Sequence, residues 1–368
     1  MNSKVAVLKT TPETVVRDFG RLMELADLRS ELSPDRLTLL KINISWQVYY
    51  PACSTSPWQL EGVIRALLDG GFSKDRILAA QNSTVVVDPH LGIRNNKLEP
   101  LLDRFGIRSI WLNDKESEAD WVRYEPKGKM LVLRDVYPDG LMIPKSLIGA
   151  NIIHLPTLKT HVFTEITGAM KNAFGGLLHL KRHWTHSVIH ETLVDLLVIQ
   201  KEIHPGIFAV MDGTISGDGP GPRAMRLRTT NLILASRDQV AIDATAARLM
   251  GFAPLTIRFI RLAHEAGLGK GDPREIDLVG DDVSNVNLHY SRNENTFASK
   301  GQKLIYHGPL KPLEGLLLRS PLVPWSFAAS RLYHDGYWYP FVGKGRKRTI
   351  MKSEWGRLFR DYEPKGQE

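Results

Sequence analysis

The sequence predicts an α/β protein of two Rossmann-like lobes with mainly parallel sheets, followed by an irregular C-terminal extension. Short apolar runs alternate with segments of helical period through most of the 368 residues, and 43% of the residues are hydrophobic. Such alternation is typical of parallel strands joined by helices. A chain of this size and composition buries a substantial core.

The elements follow in chain order. Strands are predicted at 5–8, 37–42, 76–80, 107–111, 130–133, 152–155, 207–211, 232–235 and 276–279. Helices are predicted between many of them, at 57–69, 187–202, 239–250 and 255–265. Turn formers at 137–144 mark a boundary between lobes. The expected division is an N-terminal lobe at 1–144, a second lobe with the main motifs at 145–286, and an extension at 287–368.

Composition limits the partners and the compartment. The chain has 48 Lys and Arg against 40 Asp and Glu, a formal net charge of +8, which favours anionic partners. A single cysteine, Cys53, allows no internal disulfide and cannot supply the thiolates of an iron-sulfur cluster. We expect Cys53 to be a packing residue. Without a secretory signal or a run of about 18 apolar residues, a cytoplasmic location is expected.

The segment 151–176, NIIHLPTLKTHVFTEITGAMKNAFGG, gathers the residues most suited to chemistry. It predicts a buried strand that ends at Pro156, followed by a helix at 164–174. Polar groups at the carboxyl end of a strand are where open α/β sheets bind ligands. The residues assigned to catalysis are His161, Lys171 and Lys159.

Further polar residues of this segment are assigned to binding. In a helix, Thr164, Thr167 and Lys171 share one face because they are three and four residues apart. Asn172 is adjacent, and Lys41 and Asn43 follow an earlier predicted strand. The alternative is that the polar stripe is the solvated side of an amphipathic helix. The residues assigned to ligand or cofactor binding are Lys41, Asn43, Thr164, Thr167 and Asn172.

A glycine-rich segment at 211–222, MDGTISGDGPGP, is predicted to be a loop beside the same cleft. Glycine permits close backbone approach, so successive N–H groups are expected to hold an anion. Asp212 and Asp218 are candidate metal ligands. The alternative is a long turn that the aspartates cap. The glycines assigned to ligand binding are Gly213, Gly219 and Gly221.

Histidines recur after the main motif. His179, His183, His186 and His190 are four, three and four residues apart, so in a helix they share one face. We assign His183 and His186 as candidate ligands of a transition metal. The alternative is a polar, partly exposed start of a helix.

The C-terminal extension is rich in aromatic and basic residues. Lys344, Arg346, Lys347 and Arg348 follow the aromatic run YWYPF. One interpretation is a solvated face beside packed aromatics, and the other is peripheral contact with an acidic membrane surface or with phosphates. No nucleic-acid module accompanies the cluster, so nucleic acid is not an expected partner.

Four motifs together resemble a known family. HLPTLKTH, TGAMKNAFGG, DGTISGDGPGP and RDQVAIDATAARLMGF are similar to those of the bacterial and archaeal family called domain of unknown function 362, across about residues 4–281. The resemblance implies a fold and a site rather than a reaction. Many members carry a fused ferredoxin module, which this sequence lacks, so no iron-sulfur cluster is expected.

A more distant resemblance is to the nickel-pincer lactate racemase family. It implies that His161 is the general acid/base, that Lys171 tethers or clamps a nickel-carrying nucleotide-derived cofactor, and that His183 or His186 binds nickel. This sequence has Lys41 and Asn43 in place of that family's early aspartate motif.

These observations predict an enzyme that acts on a small anionic substrate in a cleft between the lobes. The cofactor is open, with a metal or a nucleotide-derived group as candidates. The alternative is a non-catalytic anion-binding or assembly protein that uses the same basic cleft and the C-terminal tail.

Overall fold

The computed structural model of the protein describes residues 2–82, 87–112, 121–178, 180–309, 311–313 and 324–362. Its strands are β1 Ser3–Lys9, β2 Thr38–Ile42, β3 Ile77–Asn82, β4 Arg108–Leu112, β5 Trp121–Tyr124, β6 Leu141–Pro144, β7 Asn151–Leu155, β8 Thr157–His161, β9 Glu165–Ile166, β10 Ile207–Asp218, β11 Arg226–Ser236 and β12 Ile276–Gly280.

Helices cover both faces of the main sheet and form the C-terminal region. The α-helices are α1 Val15–Leu25, α2 Leu28–Glu31, α3 Pro57–Asp69, α4 Pro89–Asn95, α5 Glu99–Phe105, α6 Leu133–Val136, α7 Gly168–Asn172, α8 Phe174–Leu177, α9 Ile189–Ile203, α10 Gln239–Met250, α11 Arg258–Glu265, α12 Phe297–Tyr306, α13 Pro324–Arg331, α14 Lys344–Met351 and α15 Glu354–Asp361. A π-helix, Leu332–Gly343, joins α13 to α14. The 3-10 segments are Lys74–Arg76, Lys145–Leu147, Leu180–Val188, Pro254–Thr256, Pro273–Glu275 and Lys311–Leu313.

One large sheet organises the molecule, in the strand order β12-β1-β11-β10-β7-β2-β3-β4. Its pairings are mainly parallel, with β11 antiparallel to both β1 and β10. Strand β8 pairs with β10 and with the short β9, while β5 and β6 form a separate antiparallel pair. The predicted α/β class is confirmed. Strands from 1–144 and from 145–286 lie in the same sheet, so the expected lobe boundary is not a break in it.

Alternate side chains of each central strand enter two cores. In β1, Val5 and Val7 pack in one core with residues of α9, α10 and α11, whereas Ala6 and Leu8 pack in the other core with α1 and α3. Strands β2 and β7 are buried along their whole length, as expected of parallel strands covered on both faces. The sheet therefore holds its strand ends in fixed positions.

Two predicted helices match the structure in their bounds because their caps are strong. Ser56 accepts a hydrogen bond from the Gln59 backbone at the start of α3, and Pro57 is its first residue. Asp238 accepts hydrogen bonds from the backbone N–H groups of Val240 and Ala241 at the start of α10. The other two predicted helices correspond to α9 and α11.

Three predictions of local structure are corrected. The apolar residues 130–133 form no strand, because the buried Asp195 accepts hydrogen bonds from the backbone N–H groups of Leu131, Val132 and Leu133. The helix predicted at 164–174 is replaced by β9, α7 and α8. The extension expected to be irregular contains helices in its described parts, from α12 to α15.

Within the part of the chain that the structure describes, no helix has the length and apolar character needed to cross a membrane.

Candidate functional site

A cavity of about 250 Å³ lies at the carboxyl ends of β2, β3 and β8. Its wall includes Lys41 from β2, Asn82 from β3 and His161 from β8, together with the polypeptide around α7 and the 3-10 segment Leu180–Val188. The main motif therefore lies at a strand-end site, as the sequence predicted. The imidazole of His161 and the side chain of Lys171 line the same cavity.

The charged side chains in the described wall of this cavity are all basic. Lys41, Lys171, Arg182 and Arg223 line it, and no Asp or Glu does so among the described residues. Lys159 is fully buried and is not part of the described lining. The site therefore concentrates positive charge where protein, rather than bulk water, surrounds it.

Two of the lysines are held by neutral oxygen atoms. Lys41 Nζ donates to the Ile42 carbonyl oxygen at 2.8 Å and to Asn82 Oδ1 at 3.1 Å. Lys159 Nζ donates to Ser45 Oγ and to the Cys53 carbonyl oxygen. Burial lowers the pKa of each ammonium group to about 7, and the positive charge of Arg182 adds to this effect at Lys41.

Lys171 is different, because no hydrogen bond or ion pair joins its ammonium group to any residue in the described ranges. Lys171 Nζ lies 5.4 Å from the centre of the Phe174 ring, and the Arg182 guanidinium carbon lies 6.0 Å from the same ring centre. Such contacts suit a partly desolvated cation. Burial, and then the charge of Arg182, lowers the pKa of Lys171 to about 8.

Backbone hydrogen bonds fix the tautomer of His161. Its Nδ1 accepts from the N–H of Phe163 at 3.1 Å and from the N–H of Thr164 at 3.4 Å. Burial, followed by the charge of Lys171, places the pKa of His161 well below its usual value. The ring is therefore neutral near pH 7 with its proton on Nε2, which makes it a hydrogen-bond donor.

A buried polar chain supports the floor of the cavity. Asn172 Nδ2 donates to the Lys41 carbonyl oxygen at 2.8 Å and lies 3.4 Å from His154 Nδ1. His154 Nε2 is 2.6 Å from Gln200 Oε1, and burial lowers the pKa of this histidine to about 3. The neutral ring thus donates to Gln200 and accepts from Asn172, which holds the amide in place.

The Thr167 hydroxyl group has no hydrogen-bond partner among the described residues. Its side chain lines the cavity and is buried, and Oγ1 makes no hydrogen bond within the described residues. A buried hydroxyl group without a partner costs about 1–3 kcal/mol. This cost is removed when a bound molecule or water supplies the missing partner.

Asp243 on α10 holds the short helix α7, which carries Lys171 and Asn172. Asp243 of α10 accepts from the backbone N–H groups of Ala169 and Met170 at the start of α7. Gly168 has φ of +68°, and a Cβ atom there would lie 2.4 Å from the Asp243 carboxylate. The glycine is required because the carboxylate occupies the space of a side chain.

Comparison with known proteins agrees with the motif resemblance. The family model described as "Domain of unknown function (DUF362)" matches residues 38–248, more than half of the chain. The chain belongs to the DUF362 family. All described residues of the cavity wall lie within the matched segment. The likeness to lactate racemases remains a prediction.

A curated relative matches a smaller part of the chain. Thylakoid-associated protein sll1697 of Synechocystis sp. is 29% identical over 136 residues, which cover 35% of this chain and 41% of that protein. The match thus spans about two fifths of the relative's length. No solved structure matches the chain significantly.

Within this DUF362 domain, the structure separates the four candidate metal ligands. His183 and His186 line the cavity, but Asp212 accepts hydrogen bonds from Ser56 and Trp58, away from it. Asp218 is paired with two arginines. The described residues hold no group of three His, Cys, Asp or Glu placed to bind a metal ion. The predicted ligands His183 and His186 therefore have no carboxylate companion among the described residues, and His179 lies outside those residues.

The prediction of a glycine-rich loop that binds an anion beside the cavity is also corrected. Gly213 lies inside β10, a strand that continues through Asp218, and none of the three assigned glycines lines the cavity. A Cβ atom at Gly221 would lie 1.9 Å from the Thr160 carbonyl oxygen, so this glycine permits close packing of backbone against β8. Gly219 has φ of +96°, a conformation suited to the turn after β10. The chain after these glycines supplies Pro222 and Arg223 to the wall.

The sequence interpretation missed several residues of this site. Arg223, whose Nε donates to the Ser45 carbonyl oxygen at 3.0 Å, follows the GPGP run directly. Arg182 and Asn82 also line the cavity. Of the assigned residues, Asn43, Thr167 and Asn172 do line it, whereas Thr164 is buried and does not. Cys53 is buried with its Sγ near the Pro222 carbonyl oxygen, in keeping with a packing role.

Removal of the Asp243 carboxylate should destabilise the protein. Asp243→Ala leaves two buried backbone N–H groups without acceptors, at about 1–3 kcal/mol each. We expect chemical denaturation to show a loss of about 3 kcal/mol in the free energy of unfolding. The exposed Asp69→Ala is the control, and an equally small loss in both variants would contradict the role of Asp243.

The same carboxylate should influence how stability varies with pH. Burial raises the pKa of Asp243 from 3.8 to about 8, although the two backbone donors oppose this shift. The unfolded chain therefore loses this proton first as pH rises, so the Asp243 contribution to the free energy of unfolding decreases between about pH 4 and pH 8. Asp243→Asn should remove that part of the slope in denaturation curves measured across this range. A slope identical to that of the unsubstituted protein would show that Asp243 titrates normally.

Proposed function

We propose that this protein is an enzyme that binds a small, multiply charged anion in the cavity, with the Nε2–H of His161 as a hydrogen-bond donor to it. One observation carries the proposal: four cationic side chains converge on about 250 Å³ with no carboxylate among the described lining residues. Cation clusters of this kind, in contact with little water, favour phosphate or carboxylate groups.

The electrostatics of the cavity support an anionic ligand. Burial of ammonium groups without counter-charges disfavours their charged forms, and the pKa values of Lys41 and Lys171 fall to about 7 and about 8. An anion in the cavity would favour the charged forms again and raise both pKa values. The arrangement lowers the stability of the free protein in favour of binding, as is common at functional sites.

The neutral groups of the wall complement the charges. The Thr167 hydroxyl and the Nε2–H of His161 are available to an oxygen atom of the ligand, while Asn172 is held rigidly by its buried partners. A neutral imidazole that donates a hydrogen bond from Nε2 stabilises an oxygen atom that gains negative charge during a reaction.

A nickel-based mechanism does not fit the described residues. Although His161, His183 and His186 surround one cavity, four cations repel a divalent metal ion, and the aspartates expected to help lie elsewhere. The phosphate group of a nucleotide-derived cofactor matches the charge of the wall better. No step of the proposed chemistry is assigned to a metal.

The rival function is anion binding without chemistry. It is favoured by one observation, namely that the described wall contains no carboxylate base. Mass spectrometry of the native protein would identify an anion retained in purification. Conversion of that anion by the native protein and not by His161→Leu would support the enzyme, and binding without conversion would support the rival.

The Lys171→Met substitution should lower anion affinity without lowering the stability of the protein. Because no described residue pairs with the Lys171 ammonium, its replacement by an apolar side chain should leave the free energy of unfolding unchanged or raise it. Affinity for inorganic pyrophosphate, measured by isothermal titration calorimetry at constant ionic strength, should fall at least about tenfold.

Lys201→Met, on the exposed surface of α9, is the matched control and should change neither quantity. If Lys171→Met lowers stability by several kcal/mol and leaves pyrophosphate affinity intact, Lys171 is a structural residue and the proposal fails.

Anion binding should weaken as pH rises above 7. The free protein loses protons from Lys41 and Lys171 around pH 7 and pH 8, so an anion that needs both charges must take protons up on binding. We expect pyrophosphate affinity to fall by up to about tenfold per pH unit for each proton taken up. Calorimetry in two buffers of different ionisation enthalpy measures this uptake, which should be smaller in Lys171→Met. Affinity that is independent of pH between 7 and 9 would exclude the mechanism.

A further inference from the structure

A long helical segment near the C-terminus has two contrasting sides. The α13 helix, the π-helix Leu332–Gly343 and α14 follow one another without an intervening residue. One side packs on the body of the protein: Trp338 is buried, with its ring centre 5.4 Å from that of Tyr50 and 6.3 Å from that of Trp46. This contact fixes which side faces outward.

Polar contacts reinforce the attachment. Asp335 accepts from Trp46 Nε1 at 2.7 Å and from Gln47 Nε2 at 2.9 Å. Both donors belong to the segment after β2, which also contributes to the cavity wall. The one carboxylate between residues 324 and 352 is thus directed inward.

The outward side carries large apolar residues. Leu332, Tyr337 and Phe341 are 74%, 58% and 76% exposed, and the rings of Tyr337 and Phe341 lie 5.7 Å apart. Together with the exposed Lys344 and Arg348, these three residues define the outer stripe. The rings of Tyr337 and Phe341 lie side by side on the π-helix, and Lys344 and Arg348 are one turn apart on α14, which follows directly. Exposed aromatic residues grouped in this way are typical of an interaction surface.

We propose that the outer stripe docks the protein on an anionic lipid surface. Aromatic side chains prefer the interface between lipid and water, and basic residues beside them are attracted to acidic headgroups by about 1 kcal/mol each. Between residues 324 and 352 there are six Lys or Arg and one Asp. The helix lies along the surface rather than through it, since Trp338 and Asp335 hold its other side against the protein.

Charge favours lipid over a second copy of the chain. Each copy carries six Lys or Arg and one Asp between residues 324 and 352, so two outer stripes placed face to face would gather like charges, which repel. An anionic membrane satisfies both the apolar and the basic part of the stripe. Apolar and basic signals together are what stable peripheral attachment requires.

Vesicle sedimentation of the full chain tests the proposal. The unsubstituted protein should sediment with vesicles of equal parts phosphatidylcholine and phosphatidylglycerol, and much less with pure phosphatidylcholine. Tyr337→Ser/Phe341→Ser should lower the partition coefficient at least about tenfold. Lys344→Glu/Arg348→Glu should abolish the preference for anionic vesicles. All four side chains are exposed, so the melting temperature should stay the same.

Matched controls come from the other face of the sheet. Lys127→Glu/Lys129→Glu and Leu131→Ser/Met142→Ser change exposed residues beside the core opposite to Trp338, and they should bind vesicles as the unsubstituted protein does. Equal binding to both vesicle types, or binding that Tyr337→Ser/Phe341→Ser retains, would overturn the proposal. So would a concentration-dependent dimer in sedimentation velocity that this double variant abolishes, since the stripe would then join two copies.

Discussion

The contact between the Asp243 carboxylate and the first backbone N–H groups of α7 is the constraint on which the site depends. It joins a long, well-capped helix to a helix of five residues that has little stability of its own. Lys171 and Asn172 follow directly, so their positions relative to β2 and β8 are set by this contact. The unusual backbone of Gly168 and the burial of Asp243 are both consequences of the same close approach.

Around this fixed helix, positive charge accumulates with no carboxylate among the described residues of the cavity wall. Backbone carbonyl and amide oxygens hold Lys41 and Lys159, and an aromatic ring lies beside Lys171 and Arg182. These neutral contacts keep the cations in place, but they do not neutralise them. The proposed anion would therefore be recognised by the net field of the cavity rather than by any single residue.

Much of this arrangement could be predicted from particular residues. The apolar run that predicts a strand places His161 just after that strand, and the TGAMKNAFGG motif places Lys171 in the next helical segment. The rule that ligands bind at the carboxyl ends of strands therefore predicted that the two side chains lie close together. The pattern could not show that the glycines of 213–221 serve close backbone packing, because glycine suits anion binding and tight packing equally. Arg223 was missed since its contribution depends on where the hairpin after β10 turns. Residues 130–133 have the apolar character of a strand, yet Asp195, distant in the sequence, accepts hydrogen bonds from the backbone N–H groups of residues 131–133.

The backbone N–H groups of Phe163 and Thr164, which donate to His161 Nδ1, fix the orientation of its ring. A second proton on Nδ1 would break both contacts, so the ring stays neutral and keeps Nε2–H as its donor. Inversion of a stereocentre needs one group that removes a proton and a second group that delivers a proton to the opposite face. A ring held in one protonation state and one orientation suits instead the role of a fixed hydrogen-bond donor.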